Sequence, residues 1–151
     1  MKQEDKELLL KDLSARLPYG VILSVGIFDN GDIKYHNKKL DYHSNLLSLI
    51  ELDGGYYFNG LFCKYPQFSA RPYLRSMEDM TYEEEKFINQ NINIDFYKMY
   101  GGVYLGHIGG CVSAVSMAKI LDYLNAHHFD YRGLIKRGLA IKVTPDNNPY
   151  E

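Results

Sequence analysis

The sequence predicts an α+β protein: a small, bent antiparallel β-sheet, or partial barrel, packed by N- and C-terminal helices. Three observations lead there. Apolar residues recur at helical spacing near both ends of the chain, runs rich in Val, Ile, Tyr and Phe fill the region between, and Asx- and Gly-rich turns of hairpin length join those runs. With 151 residues, a single domain 1–151 is expected, long enough to bury about 70% of its unfolded surface.

Residues 3–16 are predicted helical. Leu9, Leu13 and Leu17 recur at i, i+4 and i+8, Leu10 widens the stripe, and Glu4, Lys6, Lys11 and Asp12 are expected to face solvent. Glu7 and Lys11 add a favourable i, i+4 pair. Pro18 stops the helix, because it disfavours αR at Leu17 and lacks a helical N–H donor. Gly20 permits a turn into a strand over 21–28. Asp29-Asn30-Gly31-Asp32 then turns the chain, and Ile33–His36 returns as the second arm of a hairpin.

A third strand is expected over 45–52, ended by Asp53-Gly54-Gly55, with 56–62 returning after it. Residues 65–73 contain Pro66 and Pro72 and so read as an edge strand or an irregular crossing segment. Thr81 and Glu84 form a capping box that starts a helix of about two to three turns; Asn89-Gln90-Asn91 is expected to loosen it into a loop. Residues 101–110 read as a short strand or loop flanked by glycines. A main C-terminal helix follows over 112–127, with Val115, Ala118, Leu121 and Leu124 on one face. Asp130 is expected to cap a short helix over 131–137, Gly138 to take the left-handed C′ position, and 139–143 to form a last strand. The polar tail 144–151, with two prolines, is expected to fray.

Composition narrows the function classes. The formal net charge of −2 removes a global electrostatic case for bulk nucleic acid, while local clusters (Lys38-Lys39, Arg71 to Arg75, Arg132 to Arg137) leave room for a small anion site. Cys63 and Cys111 are too few for a disulfide framework and lack CxxC spacing. No charged-then-apolar leader precedes residue 20, and no apolar run approaches the ~18 residues of a membrane span. The expected compartment is a cytosol, with reduced thiols and no membrane partner. The 14 Tyr and 7 Phe, with no Trp, read first as strand formers and second as walls of interfaces or ligand sites.

Several constellations carry candidate chemistry. Arg71-Pro72-Tyr73-Leu74-Arg75 places a Tyr between two arginines, a pattern suited to stacking a ring while pairing an anion; the alternative is pairing of these arginines with Glu78, Asp79 and Glu83–Glu85. Arg16, just before Pro18-Tyr19, repeats the theme, and His128 and Arg132 add candidates on the C-terminal segment. His127 and His128 point about 100° apart on a helix, so they do not form a zinc pair; they suit a helix C-terminus, where imidazoles favour the macrodipole. Cys111, at a helix N-terminus after Gly109-Gly110, is the residue a thiol hydrolase would use, but no acid partner can be named for it. The run 101–110 is neither a P-loop nor a Rossmann turn, since it lacks Gly-Lys-Ser/Thr and GxGxxG. No cofactor and no metal are expected.

Three strings, residues 9–21 (LLKDLSARLPYGV), 71–85 (RPYLRSMEDMTYEEE) and 122–141 (DYLNAHHFDYRGLIKRGLAI), cover about a third of the chain. In them the chain resembles uncharacterised small proteins of gut Bacteroidales and of their phages and mobile elements. In that family Cys is frequent where Ser14 stands, Pro where Ser76 stands and Trp where Tyr123 stands; a catalytic cysteine at position 14 is therefore ruled out here. The resemblance implies a phage or mobile-element accessory protein acting in host takeover or defence evasion. Two functions are expected from the whole reading. One is a non-enzymatic protein that sequesters a phosphorylated small molecule, such as a nucleotide immune signal, through Arg71, Tyr73, Arg75, His128, Arg132, Arg16 and Tyr19. The other is an inhibitor that docks on a host protein through a Tyr-rich face. A small hydrolase using Cys111 or a His comes third, and a homo-oligomer is left open.

Overall fold

The N-terminal stripe folds as its spacing dictates. In the computed structural model, which describes residues 2–29, 32–41, 56–58, 61–63, 70–92, 95–99, 102–106 and 113–151, helix α1 spans Gln3–Arg16. Leu9 and Leu13 are fully buried and Leu17 packs against the same core. Pro18 opens a 3-10 turn, Leu17–Tyr19, closed by Gly20 in the left-handed region (φ 63). Asp12 departs from expectation. It faces the interior, fully buried, because a basic side chain one helical turn on, Arg16, is buried with it.

The fold is α+β. The chain, expected as one domain, groups into two compact units: Met1–Leu74 with Arg132–Glu151, and Arg75–Tyr131. In the first, β1 (Ile22–Asp29) pairs antiparallel with β2 (Asp32–Lys39) and with β5 (Ala70–Leu74), and β8 (Ile141–Lys142) closes an open four-stranded sheet of order β2-β1-β5-β8. The β5–β8 pairing is parallel, so the sheet is mixed. Leu23, Val25, Ala70 and Leu74 turn one face of this sheet toward Leu9 and Leu13, and Leu134, Leu139 and Ala140 complete the core. The same unit contains β3 (Tyr56–Phe58) and β4 (Leu61–Cys63), a short antiparallel pair. The single strand expected over 56–62 is thus two, and the strand expected over 45–52 lies outside the described residues.

Strand β5 corrects the edge assignment, for it sits between two neighbours despite Pro72. The Leu74 carbonyl accepts from the Val143 amide, so by alternation Pro72 also faces the β8 side, where pairing begins only at Tyr73 opposite Ile141. No ladder bond is demanded of its missing N–H. The tail, expected to fray, is fixed. The Tyr150 hydroxyl donates to the Tyr73 carbonyl (2.8 Å) and accepts from the Ile22 amide (3.2 Å). Those two groups face each other one rung past the Leu23–Pro72 pair, so the phenol stands in for the missing rung.

In the second unit α2 spans Tyr82–Ile92. Its capping box forms: the Glu84 amide donates to Thr81 Oγ1 (3.2 Å) and the Thr81 amide donates to Glu84 Oε2 (2.8 Å). The helix continues through Asn89-Gln90-Asn91, because Asn91 Nδ2 bonds back to the Phe87 carbonyl instead of breaking the ladder. A strand the sequence reading omitted, β6 (Asp95–Met99), pairs antiparallel with β7 (Gly102–Gly106) inside the glycine-rich run. Helix α3, Ala114–Ala126, begins at Ser113, whose Oγ accepts from the Ser116 amide (3.0 Å). Its buried residues are Ile120, Leu124 and Asn125, while Val115 and Ala118 are exposed, so the inward face is rotated from the one predicted. Ile120 and Leu124 pack with Met80, Ile88 and Phe129.

Helix α3 ends in a Schellman motif: the Phe129 amide donates to Leu124 O (2.8 Å) and the His128 amide to Asn125 O (3.1 Å). The left-handed C′ position is held by His128 (φ 58), not by a glycine. Asp130 is buried and caps no helix. Residues 131–138 form turns, because bonds from Gly138 to Ile135 and from Leu139 to Leu134 close the segment after a single turn. Gly138 has the positive φ (70) that its position implied. Among the described residues, no helix is long and apolar enough to cross a membrane.

Candidate functional site

The sequence candidates separate into three settings. Arg75 belongs to the second unit and is engaged there. Its guanidinium meets Glu84 in a fork, Nη1 to Oε1 at 2.7 Å and Nη2 to Oε2 at 3.0 Å, and lies 4.3 Å over the Phe129 ring. Burial pushes the Glu84 carboxyl up, but the Arg75 and Thr81 bonds together with the Arg75 charge hold it below its ordinary value. Arg75 thus anchors the start of α2. His128, in the same unit, is half-buried at the Schellman turn.

Arg16 and Arg132 share a second setting, around Asp12. Arg16 Nε and Nη2 donate to the two Asp12 oxygens (2.7 and 3.1 Å), and both side chains are fully buried. Arg132 Nε stands 3.3 Å from Asp12 Oδ1, one-fifth exposed. A buried carboxylate between two guanidiniums is an internal tie, so the exposed position a ligand contact needs is lost to Arg16. Tyr19 lies half-buried in the 3-10 turn beside it in sequence.

Arg71 and Tyr73 form the third setting. Along β5, Ala70, Pro72 and Leu74 are buried and Arg71 and Tyr73 are half-buried on the opposite face. Arg71 stands across from Ser24 on β1, and Ser24 across from Asn37 on β2. Side chains directly opposite in a sheet share a face. Arg71, Tyr73, Tyr35, Asn37 and Lys39 therefore lie on one side of the sheet, away from α1. Arg71 forms no ion pair among the described residues.

The hairpin arm expected over Ile33–His36 is β2, longer than expected and not among the residues the sequence singled out as a site. All eight of its residues are exposed, including Ile33 (43%) and Tyr35 (58%). A hairpin arm ordinarily buries one face; this one buries neither. The signal was available: after Ile33, the run Lys34-Tyr35-His36-Asn37-Lys38-Lys39 has no apolar alternation, and lysines are what exposed sheet edges carry. The backbone direction follows from one bond. The Leu40 amide donates to Val21 O (2.8 Å), so Val21–Leu40 is a hydrogen-bonded pair and every second pair along the register repeats it. Asp32, Lys34, His36 and Lys38 then bond toward β1, while Ile33, Tyr35, Asn37 and Lys39 turn both N–H and C=O outward.

Cys111, His107 and Gly109-Gly110 lie outside the described residues. In comparisons with known proteins, no family model, no curated protein and no solved structure matches the chain.

Proposed function

We propose that this protein is a non-enzymatic interaction protein that docks on a host protein through the outer edge of β2 and the sheet face carrying Tyr35, Arg71 and Tyr73. The observation that carries the reading is the eight-residue edge strand exposed on both faces, since solvent-facing edges are pairing templates that proteins otherwise cover or shorten. The resemblance noted above supports setting this activity in a bacterial cytoplasm, as an accessory function of a phage or mobile element. Sequestering of a phosphorylated small molecule is the second reading, favoured by Arg71 and Tyr73 half-exposed on a shared face. It is weakened by the commitment of Arg75 to Glu84 and of Arg16 and Arg132 to Asp12.

One preparation tests both. Tagged protein recovered from host cells should bring down a discrete protein that Tyr35→Asp loses and Lys11→Asp, on the exposed side of α1, retains. Native mass spectrometry should show no small-molecule adduct. An adduct lost in Arg71→Ala, with no protein recovered, would reverse the order of the two readings.

A further inference from the structure

We propose that the occupant of the β2 edge is an extended segment of the partner protein, alternating acidic and apolar residues, which adds to the sheet as a further strand. The inference rests on the docking reading above and specifies its chemistry. Strand β2 is eight residues long, about 26 Å at ~3.3 Å per residue. Over that length Ile33, Tyr35, Asn37 and Lys39 each present an outward N–H and C=O, as the Leu40–Val21 bond and the register require. Among the described residues no strand pairs with this side. An added strand meets these groups in pairs, so main-chain bonding supplies affinity without regard to side chains.

Side chains supply the selection. Lys34, His36 and Lys38 share one face of β2, and Ile33 and Tyr35 share the other. Residues directly opposite on an added strand share those faces, so acidic positions meet His36 and Lys38, and apolar or aromatic positions meet Ile33 and Tyr35. Charge also decides against a second copy of this chain. Three lysines against Asp32 give β2 a net charge of +2 with His neutral, so two such edges would repel where an acidic strand is attracted.

The test uses the whole isotope-labelled protein and a short synthetic peptide alternating Glu with Val or Tyr. Binding should slow amide exchange at Ile33, Tyr35, Asn37 and Lys39 and leave Lys34, His36 and Lys38, already bonded to β1, unchanged. Affinity should fall at least about fivefold in high salt. Replacing Glu by Lys, or N-methylating alternate peptide amides, should abolish binding. Asn37→Pro, which removes an outward N–H at a position where an edge tolerates proline, should do the same; the N-methylated peptide gives the answer if that variant fails to fold. Equal binding of the Lys peptide overturns the charge selection. Protection of the same four amides by concentrated protein alone overturns it in favour of a second copy. No protection by any peptide, while Tyr35-dependent capture of a protein persists, overturns strand addition and leaves docking standing; capture indifferent to Tyr35 removes the docking reading itself.

Discussion

Replacing Tyr150 by Phe removes a single oxygen from a tail that composition gives no reason to fix. In the native protein that oxygen joins the Ile22 amide and the Tyr73 carbonyl where the β1–β5 ladder lacks a rung. Phe keeps the ring packed against the core but strands both backbone groups. An unsatisfied, partly buried polar group costs ~1–3 kcal/mol, and water reaches part of this site, so Tyr150→Phe should lose about 1–3 kcal/mol in urea denaturation at neutral pH. A second, independent consequence concerns alkali. Burial raises the Tyr150 phenol to about 12, against the lowering pull of the Ile22 bond and the Arg16 charge, while an unfolded Tyr titrates near ~10. A raised pKa means the stabilisation is complete below pH ~10 and lost as pH rises toward about 12; two units correspond to roughly 2.7 kcal/mol. The other tyrosines titrate in both proteins, so the informative quantity is the stability difference between wild type and Tyr150→Phe, followed by circular dichroism. That difference should shrink through this window. A difference constant with pH would show that the phenol is not buried between the strands.

Three further outcomes follow from the packing. Leu13→Ala should cost about 2–4 kcal/mol through the cavity it leaves under the sheet, and a measured loss below about half a kcal/mol would mean α1 is not docked. Asp12→Asn leaves the fully buried Arg16 guanidinium without its counter-charge and should cost about 3–5 kcal/mol; a near-neutral result in urea denaturation would show that Arg16 reaches solvent. His128→Gly should stabilise by about 0.5–1 kcal/mol, because a side chain at φ 58 is strained where glycine is not; a lower melting temperature would show that the imidazole's own contacts outweigh that strain.

Local signals were legible and long-range ones were not. The 9–13 stripe, Pro18, the Thr81–Glu84 box and Gly138 each depend on residues within one or two turns, and each took the predicted conformation. Asp12 misled because its charge placed it outside, while Arg132, which joins Arg16 beside it, comes from the far end of the chain. Pro72 misled because the rule against interior proline assumes that every N–H is needed, and this one faces the side where pairing has not begun. Asn59-Gly60, between β3 and β4 in the sequence, is a local hairpin signal within the run expected as one strand. The strand Asp95–Met99 was hidden by the asparagines that precede it. The alternative partners the sequence offered, Glu83–Glu85, hold for Arg75, which pairs with Glu84 nine positions on, while the Asp12 partner of Arg16, four positions back, was not foreseen because Asp12 was expected to face solvent.

Under the proposed function, folding and binding should be separable in this chain, because folding closes one face of β1 and β5 while docking is proposed at the outer edge of β2. The face bearing Leu23, Val25, Ala70 and Leu74 is closed over α1, so changes there act on stability. Strand β2 buries neither face, and an exposed side chain has little transfer free energy to lose when truncated. Truncating Ile33 or Tyr35 should therefore cost folding little, which is what the proposed binding edge requires. Their lysine neighbours restrain the edge from pairing with its own kind while leaving it open to an acidic strand. Tyr35→Asp should accordingly leave the melting temperature within the scatter of other surface substitutions, roughly ±0.5 kcal/mol in stability, while removing whatever the edge holds.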